Sequence, residues 1–182
     1  MDSKLGSLVV GALIVSVCIY LSNRPEGPLF PLSLAVLSKS LFISLFLFLP
    51  HEFFHYVVAR KTTGLDTGFL LIDWACLISL ILCYFRVNFI LVGGVVVDHA
   101  SRQDMGKISL AGPLANYAFG VGVMIASLLF PNPYSDAMLF YSFWYGFFNL
   151  LPFPPLDGFK VFMWDKKTWL LSFLLGALGF LL

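Results

Sequence analysis

Residues 41–55 read LFISLFLFLPHEFFH, an apolar run that ends in an HExxH pattern. On a helix, residues four positions apart lie on one face, so His51 and His55 can offer imidazole nitrogens to one metal ion, with Glu52 beside them. This arrangement is typical of zinc hydrolases. Because residues 41–50 carry no charge, we expect the metal site to lie at membrane depth.

The composition supports a membrane setting. The chain has 182 residues, of which 59% are hydrophobic and 12% are charged, whereas roughly a quarter of the residues are charged in an ordinary soluble domain. These values predict a multi-pass protein of the cell membrane whose surroundings include the lipid bilayer. A net charge of +1 provides no basic surface for nucleic acid, and we find no nucleotide-binding glycine loop. We therefore expect one integral-membrane domain over residues 1–182.

Apolar segments recur along the chain and predict an all-α polytopic fold of about six such segments. They lie at 5–21, 32–63, 69–85, 108–130, 137–151 and 168–182, and the last could begin as early as residue 157. We favour a retained first span over a secretory signal, because no small-residue cleavage pattern precedes Arg24.

A shorter apolar stretch at 87–97 differs from these segments. It is rich in β-branched residues, and its eleven residues are too few for a helical span, so we interpret it as a re-entrant strand or hairpin buried against protein. The region 69–97 then forms either a helix plus this strand or two thin spans. Residues 98–107 follow as a polar loop. The cysteines, which all lie in apolar segments, are predicted to be small buried hydrophobes: Cys18, Cys76 and Cys83.

Loop charges predict the orientation. Arg60 and Lys61 follow the HExxH helix, whereas residues 131–136 contain no lysine or arginine. Cytoplasmic loops are enriched in these two residue types. We therefore expect the HExxH to lie nearer the cytoplasmic side, which also holds the remaining loop cations: Arg102, Lys107, Lys160, Lys166 and Lys167.

A catalytic zinc ion commonly has three protein ligands and one open position, so the histidine pair needs a partner. His99 lies in the polar loop, where a solvated histidine is expected. Asp73 is expected to be a helix-surface carboxylate paired with Arg86 or Lys61. Asp157 follows a proline-rich stretch between two apolar segments, and non-helical backbone at membrane depth usually lines a cavity. An N-cap role is the alternative for Asp157.

Three motifs occur in a fixed order: LPHEFFH at 49–55, AGPLAN at 111–116 and NLLPFPPLDG at 149–158. In this order they resemble the site-2 protease family of intramembrane zinc metalloproteases, and the chain is similar to a compact, archaeal-type member. The likeness covers a core of about 38–158.

The resemblance implies residue roles. His51, His55 and Asp157 would bind one zinc ion per chain, and Glu52 would be the catalytic base. Asn149 and Asn116 would occupy polar positions near the substrate cleft. One departure is visible, because the residue before the second histidine is commonly small in this family and is Phe54 here.

The resemblance also implies a function, namely hydrolysis of peptide bonds within or near transmembrane segments of membrane-protein substrates. We hypothesise that an unwound substrate adds as a strand to residues 87–97. Two alternatives come from other classes. A catalytically silent relative would bind membrane proteins without cleaving them, and a transporter would use the same side chains to carry metal or protons. The lack of further intramembrane carboxylates along a path argues against a transporter.

Overall fold

The computed structural model of the chain describes residues 3–25, 33–65 and 67–179, and these are mostly helical. The elements in chain order are α1 Ser3–Asn23, α2 Leu34–Thr63, β1 Thr67–Leu71, α3 Asp73–Tyr84, β2 Gly93–Val97, α4 Arg102–Leu129, α5 Ser135–Asn149, α6 Asp157–Trp164 and α7 Lys166–Leu178. Part of the predicted loop at 23–31 lies outside the described residues.

Three helices within the described residues are long and apolar enough to cross a membrane: Leu5–Asn23, Leu34–Thr63 and Arg102–Leu129. The remaining helices have 15 residues or fewer, fewer than the roughly 20 that a spanning helix needs. The structure is therefore compatible with a mostly helical membrane protein, whereas the predicted count of about six apolar segments is not shown.

The described chain divides into two compact units. The first comprises Met1–Leu49 and Gly68–Val96. Within it α1 packs on α3, and the Ser44 hydroxyl donates a 2.6 Å hydrogen bond to the carbonyl of Ala12. The three cysteines are buried and free, as predicted. The second unit comprises Pro50–Thr67 and Val97–Leu182 and contains the HExxH. The prediction of one domain over 1–182 stays a prediction.

The region 69–97 contains a helix and strands rather than two spans. Its first part, predicted as one apolar segment over 69–85, divides into β1 and the twelve-residue helix α3. The predicted strand at 87–97 is shorter, because only Gly93–Val97 is extended, and it pairs with β1 instead of forming its own hairpin. The backbone before β2 is fixed to α3 by two hydrogen bonds of 2.8 Å. The Ser79 hydroxyl donates to the carbonyl of Leu91 and accepts from the amide of Leu91.

The second unit is organised around α4, which packs against α5 and α6, while α7 packs against both of these helices. Its core contains the buried side chains of Tyr117, Phe143, Leu150 and Val161. Tight packing makes glycine necessary at Gly146, where an added Cβ would lie 2.6 Å from the Tyr117 ring. The HExxH-bearing part of α2 lies within this same unit.

Two predicted boundaries in the second unit are corrected. Residues 98–107 are not all loop, because α4 begins at Arg102; the Ser101 hydroxyl caps it by accepting the Asp104 amide at 3.1 Å. The last apolar segment, predicted at 168–182, lies mostly in α7, and the possible earlier start at residue 157 is instead the separate helix α6. The chain is extended at Asp165 between them, and its carboxylate caps α7 by accepting the Thr168 amide at 2.6 Å.

Candidate metal centre

The HExxH lies on α2, and both of its histidines are buried. Their Nε2 atoms face each other at 3.0 Å, so the two imidazoles converge on one point as the four-residue spacing predicts. Oδ2 of Asp157 lies 3.1 Å from Nε2 of His55 and 3.4 Å from Nε2 of His51. The structure therefore brings together the three residues that the resemblance assigned to zinc.

Asp157 reaches this point because the turn before it is compact. The Leu156 amide donates to the carbonyl of Phe153 at 3.0 Å, and an added Cβ at Gly158 would collide with the backbone of Leu150. The Trp169 indole on α7 donates to that same Leu150 carbonyl at 2.8 Å. Asp157 is the first residue of α6, and its carboxylate faces the histidines rather than capping the helix.

The outer nitrogen of each imidazole has an acceptor beside it. Nδ1 of His55 lies 2.6 Å from the carbonyl oxygen of Ile108, and Nδ1 of His51 lies 2.5 Å from Oδ1 of Asn116. A carbonyl oxygen can only accept, so both Nδ1 atoms carry the proton and a neutral imidazole keeps its lone pair on Nε2. Outer partners of this kind commonly fix metal-binding histidines in proteins.

The residues present fit a zinc ion. Two Nε2 lone pairs and one carboxylate oxygen converge with separations of 3.0, 3.1 and 3.4 Å, an arrangement of acceptors that a cation would stabilise. Ligand atoms at roughly 2.0–2.2 Å from a tetrahedral zinc would lie about 3.3–3.6 Å from one another. The group of His51, His55 and Asp157 can therefore hold a metal ion.

Gly112 on α4 leaves the space that the imidazoles occupy. A Cβ added there would lie 2.7 Å from Nε2 of His51 and closer still to Nε2 of His55. Any side chain at this position would enter the point on which the candidate ligands converge. Glycine is required here for close approach, not for an unusual backbone angle.

Glu52 is also buried, and its Oε2 atom has no hydrogen-bond partner among the residues that the structure describes. A carboxylate in such a place is costly unless something pairs with it. An unpartnered acceptor next to the candidate ligands is suited to receiving a proton from a water molecule there.

Charges around Asp157 favour its ionised form. Burial acts to raise the pKa of this carboxyl, whereas the nearby ammonium of Lys160 lowers it. Nζ of Lys160 lies 3.7 Å from Oδ1. The carboxylate is therefore available as an anionic ligand.

The remaining candidate residues have different surroundings. Asn116 lies behind His51, and the amide of Asn149 donates to the carbonyl of Tyr145 at 2.9 Å; a substrate role stays a prediction for both.

His99 is exposed, as expected for a loop histidine. Asp73 is exposed in the first turn of α3. Of its two predicted partners, Arg86 and Lys61, the structure shows no ion pair with Arg86 among the described residues. Instead, the Arg86 guanidinium donates to the carbonyl of Arg24.

Three residues around the centre were missed from the sequence. Ile108 and Gly112 precede Asn116 at four-residue spacing, so one face of α4 meets the histidines, and this period was a usable signal. The Tyr145 ring packs edge-on against His51 with centroids 5.0 Å apart, and nothing in the local sequence indicated it. Phe54, by contrast, is 46% exposed and does not obstruct the centre.

Comparison with known proteins gives a relative. Over 132 residues, 67% of this chain and 68% of the other, the sequence is 33% identical to a Methanocaldococcus jannaschii protein named "Putative zinc metalloprotease". No protein-family model matches the chain. No solved structure matches it either.

Proposed function

Because the chain belongs to the zinc metalloprotease family of its Methanocaldococcus jannaschii relative, we propose that it is an intramembrane protease of the site-2 type. It would hydrolyse peptide bonds within or near transmembrane segments of membrane-protein substrates. The observation that carries this proposal is the convergence of His51, His55 and Asp157 on one buried point. Two of these residues lie on a helix that is long and apolar enough to cross a membrane.

The reaction follows from the donor set. His51, His55 and Asp157 would hold the zinc ion, which would supply a Lewis acid for the scissile carbonyl and for the attacking water. Asn116 and the Ile108 carbonyl hold the two imidazoles with their Nε2 lone pairs directed inward. Oε2 of Glu52, which lacks a partner among the described residues, takes the proton of the attacking water. Glu52 then passes that proton to the leaving amine.

The substrate class rests on the surroundings of the site. Only a substrate that is itself in the membrane reaches a buried centre on a membrane-spanning helix without leaving lipid. A peptide bond within a helix is shielded by the helical hydrogen bonds, so the substrate has to unwind before it is cut. The strand β2, with its partner β1, offers backbone groups to such an extended segment.

The orientation belongs to the same proposal. Arg60 and Lys61 end α2, and Arg102 begins α4. Because short cytoplasmic loops are enriched in these residue types, we place the catalytic side of the protein nearer the cytoplasm. The cellular location is then the cell membrane.

The decisive test is Glu52→Gln on a single-span substrate, with the purified protein in bilayers. Glutamine keeps the size of the side chain but cannot accept the proton, so cleavage should fall about 10²–10⁴-fold. Zinc content, measured by metal analysis, should stay near one per chain. Asp73→Asn, which removes an exposed carboxylate elsewhere, is the matched control and should cleave like the wild type.

A chelator should abolish wild-type cleavage, and added zinc should restore it. Equal processing by wild type and Glu52→Gln would rule out the proteolytic mechanism. A wild type that binds the substrate and zinc but never cleaves it would instead identify a catalytically silent relative.

A further inference from the structure

A groove of about 570 Å³ runs along the seam between α2 and α4, entirely within the second unit. Its walls are almost wholly apolar. Its lining includes Pro50, Phe54 and Val58 from α2, and Ala111, Ala115 and Ala118 from α4. Pro50 and Phe54 directly precede the two histidines, and Ala111 and Ala115 directly precede Gly112 and Asn116, so the groove lies beside the metal-facing stripe of each helix. None of the three candidate ligands lines it.

One end of the groove carries a positive charge. Lys107 lines it in the second turn of α4, and its side chain is exposed. The ammonium makes no hydrogen bond or ion pair within the part of the chain that the structure describes. The nearby Asp104 carboxylate instead accepts the Ser101 hydroxyl at 2.6 Å. Lys107 is therefore available to an anion from outside the chain.

The length of the groove is close to the thickness of the hydrocarbon layer in one bilayer leaflet. Lys107 and Phe119 both line it, and twelve residues of helix measure about 18 Å. Half of a typical hydrocarbon core is about 15 Å. Since α4 is one of the candidate spans, the groove runs from its polar end to near the middle of the membrane.

We propose that this groove is a binding site for an anionic phospholipid of one leaflet. Its phosphate pairs with Lys107, and one acyl chain lies between Phe54 and the alanine side of α4. The small side chains of Ala111, Ala115 and Ala118 form the floor on which the chain rests. Phe54 forms one wall of the groove and is exposed.

The charge and length favour a lipid over other occupants. A transmembrane helix from a second copy would cross the whole membrane and would not need a lysine at one end. A free anion would pair with Lys107 but would leave the apolar walls uncovered. An amphiphile with an anionic head group would pair with Lys107, and its acyl chain, which spans one leaflet, would cover the apolar walls.

The test measures which lipid stays on the protein. The wild type is placed in nanodiscs of equimolar phosphatidylglycerol and phosphatidylcholine with identical acyl chains, and is then partly delipidated and analysed by native mass spectrometry. The retained phosphatidylglycerol should exceed phosphatidylcholine roughly fivefold, the size of effect expected for one lysine at a membrane surface. Lys107→Gln should remove this preference, and Lys107→Arg should keep it.

The chain offers matched controls. Ala118→Leu fills the groove from an exposed position and should reduce retention of both lipids, whereas Ala126→Leu, exposed on the same helix outside the groove, should not. Lys167→Gln removes an exposed cation on α7 and should leave the preference intact. Zinc content reports whether each variant is folded.

Three results would overturn the proposal. These are equal retention of the two lipids by the wild type, the same loss of preference in Lys167→Gln as in Lys107→Gln, or disulfide-linked dimers formed efficiently through Ala118→Cys, which would identify a second copy as the occupant. None of these measurements depends on proteolysis, so the lipid site can fail while the proposed function holds.

Discussion

At the scale of single residues, the centre depends on which nitrogen of each histidine is protonated. Nδ1 of His55 faces a backbone carbonyl, which no side-chain substitution removes, whereas Nδ1 of His51 faces the side chain of Asn116. The two candidate ligands are therefore held by partners of different kinds. Only the hydrogen bond that orients His51 can be removed by a side-chain substitution.

We expect Asn116→Leu to lower zinc affinity about 10–100-fold, the usual cost of losing an outer partner of a metal-binding histidine. Leucine has the same branching and the same number of side-chain heavy atoms as asparagine but no acceptor, so the His51 ring loses its orientation. Asn116→Asp keeps an acceptor oxygen and should retain affinity. Competition with a chromogenic chelator measures both variants, and equal affinities for leucine and aspartate would show that Asn116 has no positioning role.

At the scale of elements, α4 shapes the centre although it contributes no candidate ligand. Ile108, Gly112 and Asn116 follow one another at four-residue spacing, so a single face of the helix provides a carbonyl, an open space and an amide oxygen. The neighbouring face of the same helix lines the apolar groove. Two neighbouring faces of α4 therefore contribute to the metal centre and to the groove, respectively.

The small sheet carries the next prediction. Val95→Pro removes a backbone donor from β2 and restricts its backbone, so cleavage of a single-span substrate should fall several-fold if the substrate adds to this sheet. Zinc content should be unchanged. Val95→Thr keeps both the amide and the β-branched shape and should cleave normally. Unchanged cleavage by the proline variant would count against strand addition.

At the scale of the whole molecule, the candidate metal site joins segments that are distant in the chain. Asp157 is 102 residues beyond His55, and both lie in the second unit. A ligand that binds only the folded state stabilises it, by about 4 kcal/mol when its concentration is a thousand times its dissociation constant. Metal should therefore contribute directly to the stability of this unit.

We expect zinc removal by a chelator to lower the thermal unfolding temperature of the detergent-solubilised protein, as followed by intrinsic tryptophan fluorescence. Asp157→Ala, which lacks one candidate ligand, should start at the lower temperature and show little further change with the chelator. If the chelator destabilised wild type and Asp157→Ala equally, its effect would come from something other than this site.

Much of the site could be predicted because its signals are local. The four-residue spacing of His51 and His55 is a property of any helix, and the apolar run before them indicated membrane depth. Asp157 was assigned through motifs in a fixed order, and the structure brings it to the histidines. The element boundaries were less accurate, because short-range capping at Ser101 and Asp165 decides them.

The sequence by itself determined the mostly helical class, the helices long and apolar enough to cross a membrane, the candidate ligand types and the buried cysteines, because hydropathy and helical period depend on neighbouring residues. Only the tertiary structure decided that the carbonyl of Ile108 and the amide of Asn116 set the histidine tautomers. It also decided that Gly112 leaves the central space and that Phe54 lines a groove outside the centre. These features arise from close packing of residues far apart in the chain, which the order of residues along one segment does not specify.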